Sequence, residues 1–178
     1  MGLLAAALWG FAEATLFFIV PDVLISAVAI RGTRAAYAAS LFAAAGAVVG
    51  GSLMYFWGVH SPETAVGTVT AVPAVGAAMM ERAHGELLTD GPISIILGPL
   101  SATPFKVYAV QAAAAGIPYW VFVLITPIAR LPRFLLVAWL AGTVSRLIQP
   151  RVNARTVYAL WLAAWIVVYA TLWRAMIF

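Results

Sequence analysis

The sequence predicts an all-α membrane protein built from three transmembrane helices plus two re-entrant helical hairpins, related as an inverted repeat. Three observations carry that prediction. Of the 178 residues, 65% are hydrophobic and only 9% are Asp, Glu, Lys or Arg; a soluble domain has about 45–50% and about 25%. So few charges cannot cover a water-facing surface, which excludes an ordinary soluble enzyme, a disordered chain and a coiled coil. The apolar residues gather into five blocks. Two of those blocks are broken near their middles by proline with polar residues beside it.

The first block, residues 1–30, contains Glu13 and is interrupted at Pro21-Asp22. Each half is too short to cross a hydrocarbon core of roughly 30 Å. Proline removes a backbone donor and clashes with the preceding turn. Such a break survives at membrane depth only inside protein or beside a wet cavity. The block therefore reads as a re-entrant hairpin with its tip near the midplane; the alternative is one kinked span. The start, Met1-Gly2-Leu3-Leu4, lacks a basic n-region and reads as part of the mature membrane domain.

Residues 35–59 carry no charge and are long enough for a full span. Gly46, Gly50 and Gly51 give this span a small-residue face for close helix packing. Residues 60–92 form a polar loop holding Glu63, Glu81, Glu86 and Asp90. Within it, Ala77, Met80, His84 and Leu87-Leu88 suggest an amphipathic helix on the membrane surface. Glu81 and His84 have the spacing of a metal pair, but no other ligands converge in sequence, and a solvated helix face is the plainer reading.

Residues 93–118 are broken at Gly98-Pro99 and Pro104 and carry Lys106; they read as the second hairpin, again with a kinked span as the alternative. Residues 119–142 form a span with Arg130 and Arg133 near its middle, where Pro127 and Pro132 disturb the helix. Residues 157–178 form the last span. Its Tyr158, Trp161, Trp165, Tyr169 and Trp173 read as interfacial anchors and lipid-facing bulk.

With hairpins rather than spans at 1–30 and 93–118, Arg31, Arg34, Arg146, Arg151 and Arg155 share one side. Arg82 and Arg174 lie on the other. Five against two makes the first side cytoplasmic. The two hairpin–span units then enter from opposite faces, the logic of secondary transporters with a midplane site. A bacterial inner membrane, crossed several times, is the expected location.

The formal charge of +4 on so apolar a chain points to orientation and to anionic headgroups, not to nucleic acid. The chain has no cysteine, which excludes disulfides, thiol catalysis and thiolate metal sites. No Walker loop, nucleotide fingerprint, Ser-His-Asp set or zinc motif occurs, so neither an enzyme nor a cofactor is expected.

The candidate site is the set of charges inside apolar sequence. An ionised acid at the bilayer centre costs about 2.5–3.5 kcal/mol on insertion scales. Glu13 relieves that cost by taking up a proton or by pairing with a cation; a static ion pair that locks the fold is the structural alternative. Asp22 either joins it or caps the helix that follows. Lys106, with Ser101, Thr103 and the amides freed by a broken helix, can hold a phosphate, unless it snorkels to a headgroup. Arg130 and Arg133 are three apart on one helix face and repel unless they share anions. Guanidinium forks match phosphate. Two acids against three cations leave one positive charge that an anionic ligand would balance. Gln111 reads as an interhelical hydrogen-bond partner.

Several of these segments resemble the DedA family, also called the SNARE-associated or VTT-domain family, and within it the small YqaA-like branch. They are Phe11-Ala12-Glu13 with Pro21-Asp22, Thr103-Pro104-Phe105-Lys106-Val107, Ala115-Gly116, Ala129-Arg130-Leu131-Pro132-Arg133-Phe134, and Ala138. The resemblance covers roughly residues 1–142. It implies two facing re-entrant hairpins and lipid translocation, either scrambling of phospholipids or proton-dependent recycling of polyprenyl phosphate. By the same resemblance, Glu13 and Asp22 would couple protons, and Arg130 and Arg133 would bind substrate. The chain departs from the family pattern where a PGE-like motif is reduced to Pro21-Asp22, and where Lys106 stands for the usual Arg. That second change replaces a fork with a point charge and bears on headgroup choice.

The expected function is thus a flippase or scramblase for an anionic lipid. The expected partners are lipids with anionic headgroups and protons, with a homo-oligomer as a further option. The rival expectations are a proton-coupled exporter of small ions or drugs and a non-transporting membrane scaffold.

Overall fold

The structure, a computed structural model, describes residues 2–73, 75–98 and 103–177. Those residues are helical with no strand. The order is α1 (Gly2–Ala14), α2 (Asp22–Arg31), α3 (Thr33–His60), α4 (Pro62–Thr70), α5 (Ala77–Asp90), α6 (Ile93–Leu97), α7 (Phe105–Gln111), α8 (Tyr119–Ile148) and α9 (Ala154–Ile177). α3, α8 and α9 are long and apolar enough to cross a membrane. α8 continues past residue 142 to Ile148, because Gly142 is used for packing rather than as a stop. Pro127 and Pro132 leave α8 one continuous helix rather than breaking it. Helix-interior prolines survive in such segments when neighbours take up the freed backbone groups.

α3 and α8 form an antiparallel centre. Tyr55 donates to the Ile117 carbonyl at 2.8 Å and Ser40 to the Phe134 carbonyl at 3.3 Å, and Gly142 lies against Thr33. α1 runs along α3 in the same direction. A Cβ at Gly46 would overlap the Ala7 carbonyl, one at Gly50 would press on Phe11 and Ala14, and one at Gly10 would overlap the Ala43 carbonyl. Small residues on both helices are what lets the backbones touch. α2 turns back and runs with α8; the Ile30 carbonyl accepts from Ser145 at 3.3 Å and Gln149 at 2.8 Å.

α7 runs with α3, Phe105 beside Gly51 and Val110 beside Gly58. Every residue of α7 is buried, as suits a helix apolar nearly all round. α5 does much of the covering, with Met80, Ala83 and Leu87 in its buried face. Its apolar stripe thus packs on protein, and Leu88 alone of the stripe's leucines stays exposed. Gln111 donates to the Met80 carbonyl at 3.1 Å, and the Tyr108 hydroxyl donates to Glu86 at 2.5 Å.

α9 is held differently. Only 6% of its spanning residues are buried, against 56% in α3 and 33% in α8. It packs on α2 through one line of aromatics. Arg31 donates to the Tyr158 hydroxyl at 3.0 Å. Trp161 and Trp165 both donate to the Ser26 hydroxyl, at 2.9 and 3.0 Å, and the Val20 amide donates to Tyr169 at 3.0 Å. These four rings are therefore not lipid-facing bulk, which corrects the sequence-based expectation; the Trp173 side chain lies outside those described. An apolar helix gains little by leaving lipid for protein, so polar bonds carry the docking. At about 0.6 kcal/mol each, four hold α9 by roughly 2–3 kcal/mol.

Candidate functional site

The turn at 15–21 joins α1 to α2 and puts both acids beside α8. α1 ends at Ala14, where Thr15 bonds back to Phe11 and Ala12. Glu13 lies on the last turn of α1 and Asp22 is the first residue of α2. The turn's backbone is satisfied by three long side chains from three helices. Trp9 donates to the Ile19 carbonyl at 2.9 Å, Lys106 to the Phe17 carbonyl at 2.7 Å, and Tyr169 accepts from Val20. Leu16, Phe17 and Phe18 are exposed on the apolar surface, and irregular backbone in such a setting is stabilised by partners of this kind.

Glu13 forms an ion pair with Arg130, and Asp22 forms one with Arg133. The two pairs differ in exposure. Arg130 and Glu13 are both buried, whereas the Arg133 side chain is 35% exposed. Arg130 lies between two rings, 5.3 Å from Phe105 and 5.0 Å from Phe134. Arg133 stands 5.7 Å from the same Phe134. Cation–ring attraction and a carboxylate for each guanidinium offset the repulsion between the two arginines. Asp22 makes no helix-capping bond; its Oδ2 is taken by Arg133, while Oδ1 is buried without a partner among the described residues. Arg130 Nε is in the same condition.

Lys106 is 2% exposed and within electrostatic reach of Glu13 and Arg130. Its Nζ is aimed at the 15–21 turn between α1 and α2. Thr103 is buried beside the start of α7, and its amide donates to Gly98 at 3.1 Å. Ser101 lies outside the described residues. The expected cradle of Ser101, Thr103, Lys106 and helix amides includes a residue outside those described, so only its Thr103 and Lys106 can be placed. Lys106 looks toward Glu13, Arg130 and Phe17, and α7 has only seven residues. The structure thus gathers Glu13, Asp22, Lys106, Arg130 and Arg133 around one turn.

Sequence reasoning missed Trp9, Ser26 and Tyr169 at this site. The 158, 161, 165, 169 spacing marks one helix face, but nothing local says that α2 is its partner. Glu81 is exposed and His84 half-buried on α5, and no group of three or more metal-ligating side chains converges among the described residues.

Among known proteins, the chain is similar to an uncharacterised protein of Haemophilus influenzae. The two are 28% identical over 132 residues, which is 74% of this chain and 68% of the relative. No protein-family model matches the chain, and no solved structure matches it.

Proposed function

We propose that this chain is a DedA-like transporter that moves an anionic, phosphate-bearing lipid across a bacterial inner membrane. The observation that carries the reading is the cluster of two acids and three cations around the 15–21 turn. The cations exceed the acids by one, and among the described residues Lys106 donates to the Phe17 carbonyl rather than forming an ion pair of its own. An anionic headgroup would balance it.

Two geometric facts support the re-entrant, inverted-repeat reading. α1 and α2, with 13 and 10 residues, reach about 20 and 15 Å at about 1.5 Å per residue, short of a bilayer. The packing is also reciprocal: α1 packs on α3 and α2 on α8, while α6 packs on α8 and α7 on α3. That exchange of partners is what a two-fold axis in the membrane plane produces.

The mechanism follows from the unequal pairs. Arg133 is the reachable cation, and Asp22 is the anion a phosphate would displace. A proton delivered to the free Asp22 Oδ1 weakens the Asp22–Arg133 pair and releases the guanidinium fork for the headgroup. Glu13, Arg130 and Lys106 form the buried floor of positive charge beneath it. A scaffold reading draws on one specific observation, the complete burial of the Glu13–Arg130 pair.

The test is reconstitution into vesicles with labelled phosphatidylglycerol or polyprenyl phosphate. The unaltered protein should move at least one of them between leaflets, and Arg133→Ala should not, while eluting as the same folded species. Equal rates for both proteins would remove the mechanism. A scaffold would move neither lipid and would tolerate an exchange of Glu13 and Arg130.

A further inference from the structure

The α2–α9 seam lies at the edge of the exposed ion pair. Tyr169 is within electrostatic reach of Asp22, Arg133 and Glu13. Its oxygen accepts from the Val20 amide, two residues before Asp22. One turn further along α2, the Ser26 hydroxyl donates to the Asp22 carbonyl at 2.6 Å and accepts both indoles. The bonds that dock α9 are thus the bonds that hold the start of α2, where Asp22 sits. The half-buried residues Tyr158, Trp161, Trp165 and Tyr169 are one stripe, and the residues between them face outward.

The remaining walls of the site are closed more firmly. α1 and α3 touch backbone to backbone, and α3 and α8 share a buried core. Among the described residues, α9 is the one of the three long apolar helices joined to the bundle by a single polar line.

We propose that the α2–α9 seam is the lateral entrance of the site, through which a phosphate-bearing lipid slides from the bilayer to Arg133, with Ser26, Trp161, Trp165 and Tyr169 as its latch. This rests on the lipid-transport reading above. A headgroup entering here leaves its acyl chains in the membrane, which entry from either water face would not allow. As α9 withdraws, the Val20 amide loses its acceptor, and a phosphate oxygen can take the place of the Tyr169 hydroxyl; the two indoles, released from Ser26, become free donors for the same headgroup.

The chain contains no cysteine, so a Ser26→Cys, Trp165→Cys variant carries the only two thiols. Bridging them with mercuric ion, reversed by excess thiol, locks the seam. In vesicles of phosphatidylethanolamine and labelled phosphatidylglycerol, bridging should slow lipid movement at least tenfold, with recovery on reversal and no effect of mercury on either single variant. Undiminished movement in the bridged protein would overturn the entrance.

A second measurement needs no transport. Bridging yield should fall at least twofold in vesicles containing phosphatidic acid compared with pure phosphatidylcholine, and should not respond to inorganic phosphate. An equal yield in all three, or a response to inorganic phosphate alone, would overturn the proposal. A response to phosphatidic acid in a protein that moves no lipid would sink the transport reading and leave the entrance standing.

Discussion

Lys106 on α7 donates its ammonium to the Phe17 carbonyl at 2.7 Å, joining the second broken block to the tip of the first across 89 residues of sequence. A buried lysine is costly. Here its charge lies beside Glu13, and its proton satisfies a carbonyl that no helix can reach. The bond explains why the turn at 15–21 can exist among apolar side chains.

Replacing Lys106 by Met keeps the volume and deletes the donor. The Phe17 carbonyl then loses a charge-assisted hydrogen bond, worth about 1.5–3 kcal/mol. The melting temperature in detergent should drop by several degrees, and protease should cut first in the 15–21 turn. An unchanged melting curve would mean that the bond contributes nothing.

Breaking the Glu13–Arg130 pair from one side leaves a buried lone charge, which costs about 3–5 kcal/mol. Glu13→Gln and Arg130→Met should each destabilise strongly. The double variant should be more stable than either single one, giving a favourable coupling energy in a double-mutant cycle. Additive losses would show that the two side chains do not act as a pair.

Asp22→Asn should behave differently, because Arg133 remains partly exposed and keeps access to water or headgroups. Stability should change little. In the mechanism proposed above, Asp22 is the anion that a phosphate displaces from Arg133, so removing its charge should free the guanidinium. The Asn variant should move lipid faster than the unaltered protein in vesicles, and an equal or slower rate would show that Asp22 does not hold Arg133 back.

Gly46→Leu tests the α1–α3 contact. A Cβ there overlaps the Ala7 carbonyl, which is backbone and cannot swing aside. A cost of about 1–3 kcal/mol or more is expected. α1 should be displaced from α3, and the melting temperature in detergent should drop by several degrees; an unchanged melting curve would show that the contact contributes nothing. Gly67→Leu, where nothing lies within 4 Å, is the matched control.

Local composition made the membrane character and the three long helices legible, and single residues out of place in apolar sequence marked Glu13, Lys106, Arg130 and Arg133. Gly46 and Gly50 were legible as packing positions, but not as α1's contact. The 60–92 segment was read as a polar loop with a surface helix. The structure has an amphipathic helix there, α5, and shows what the sequence did not, that its apolar face packs on α7. The C-terminal aromatics misled for the same reason: a Trp that anchors at an interface and one that bonds Ser26 look identical in sequence.

Partition between water and hydrocarbon sums over neighbouring residues, so it can be computed along a string of letters, and the solvent and the number of long crossings follow from it. Ion pairing depends on a distance of a few ångströms between side chains that lie 117 and 111 positions apart, Arg130 with Glu13 and Arg133 with Asp22. No local rule assigns those partners. They were decided by glycines that bring α1 onto α3, and by the turn that carries both acids to one face of α8.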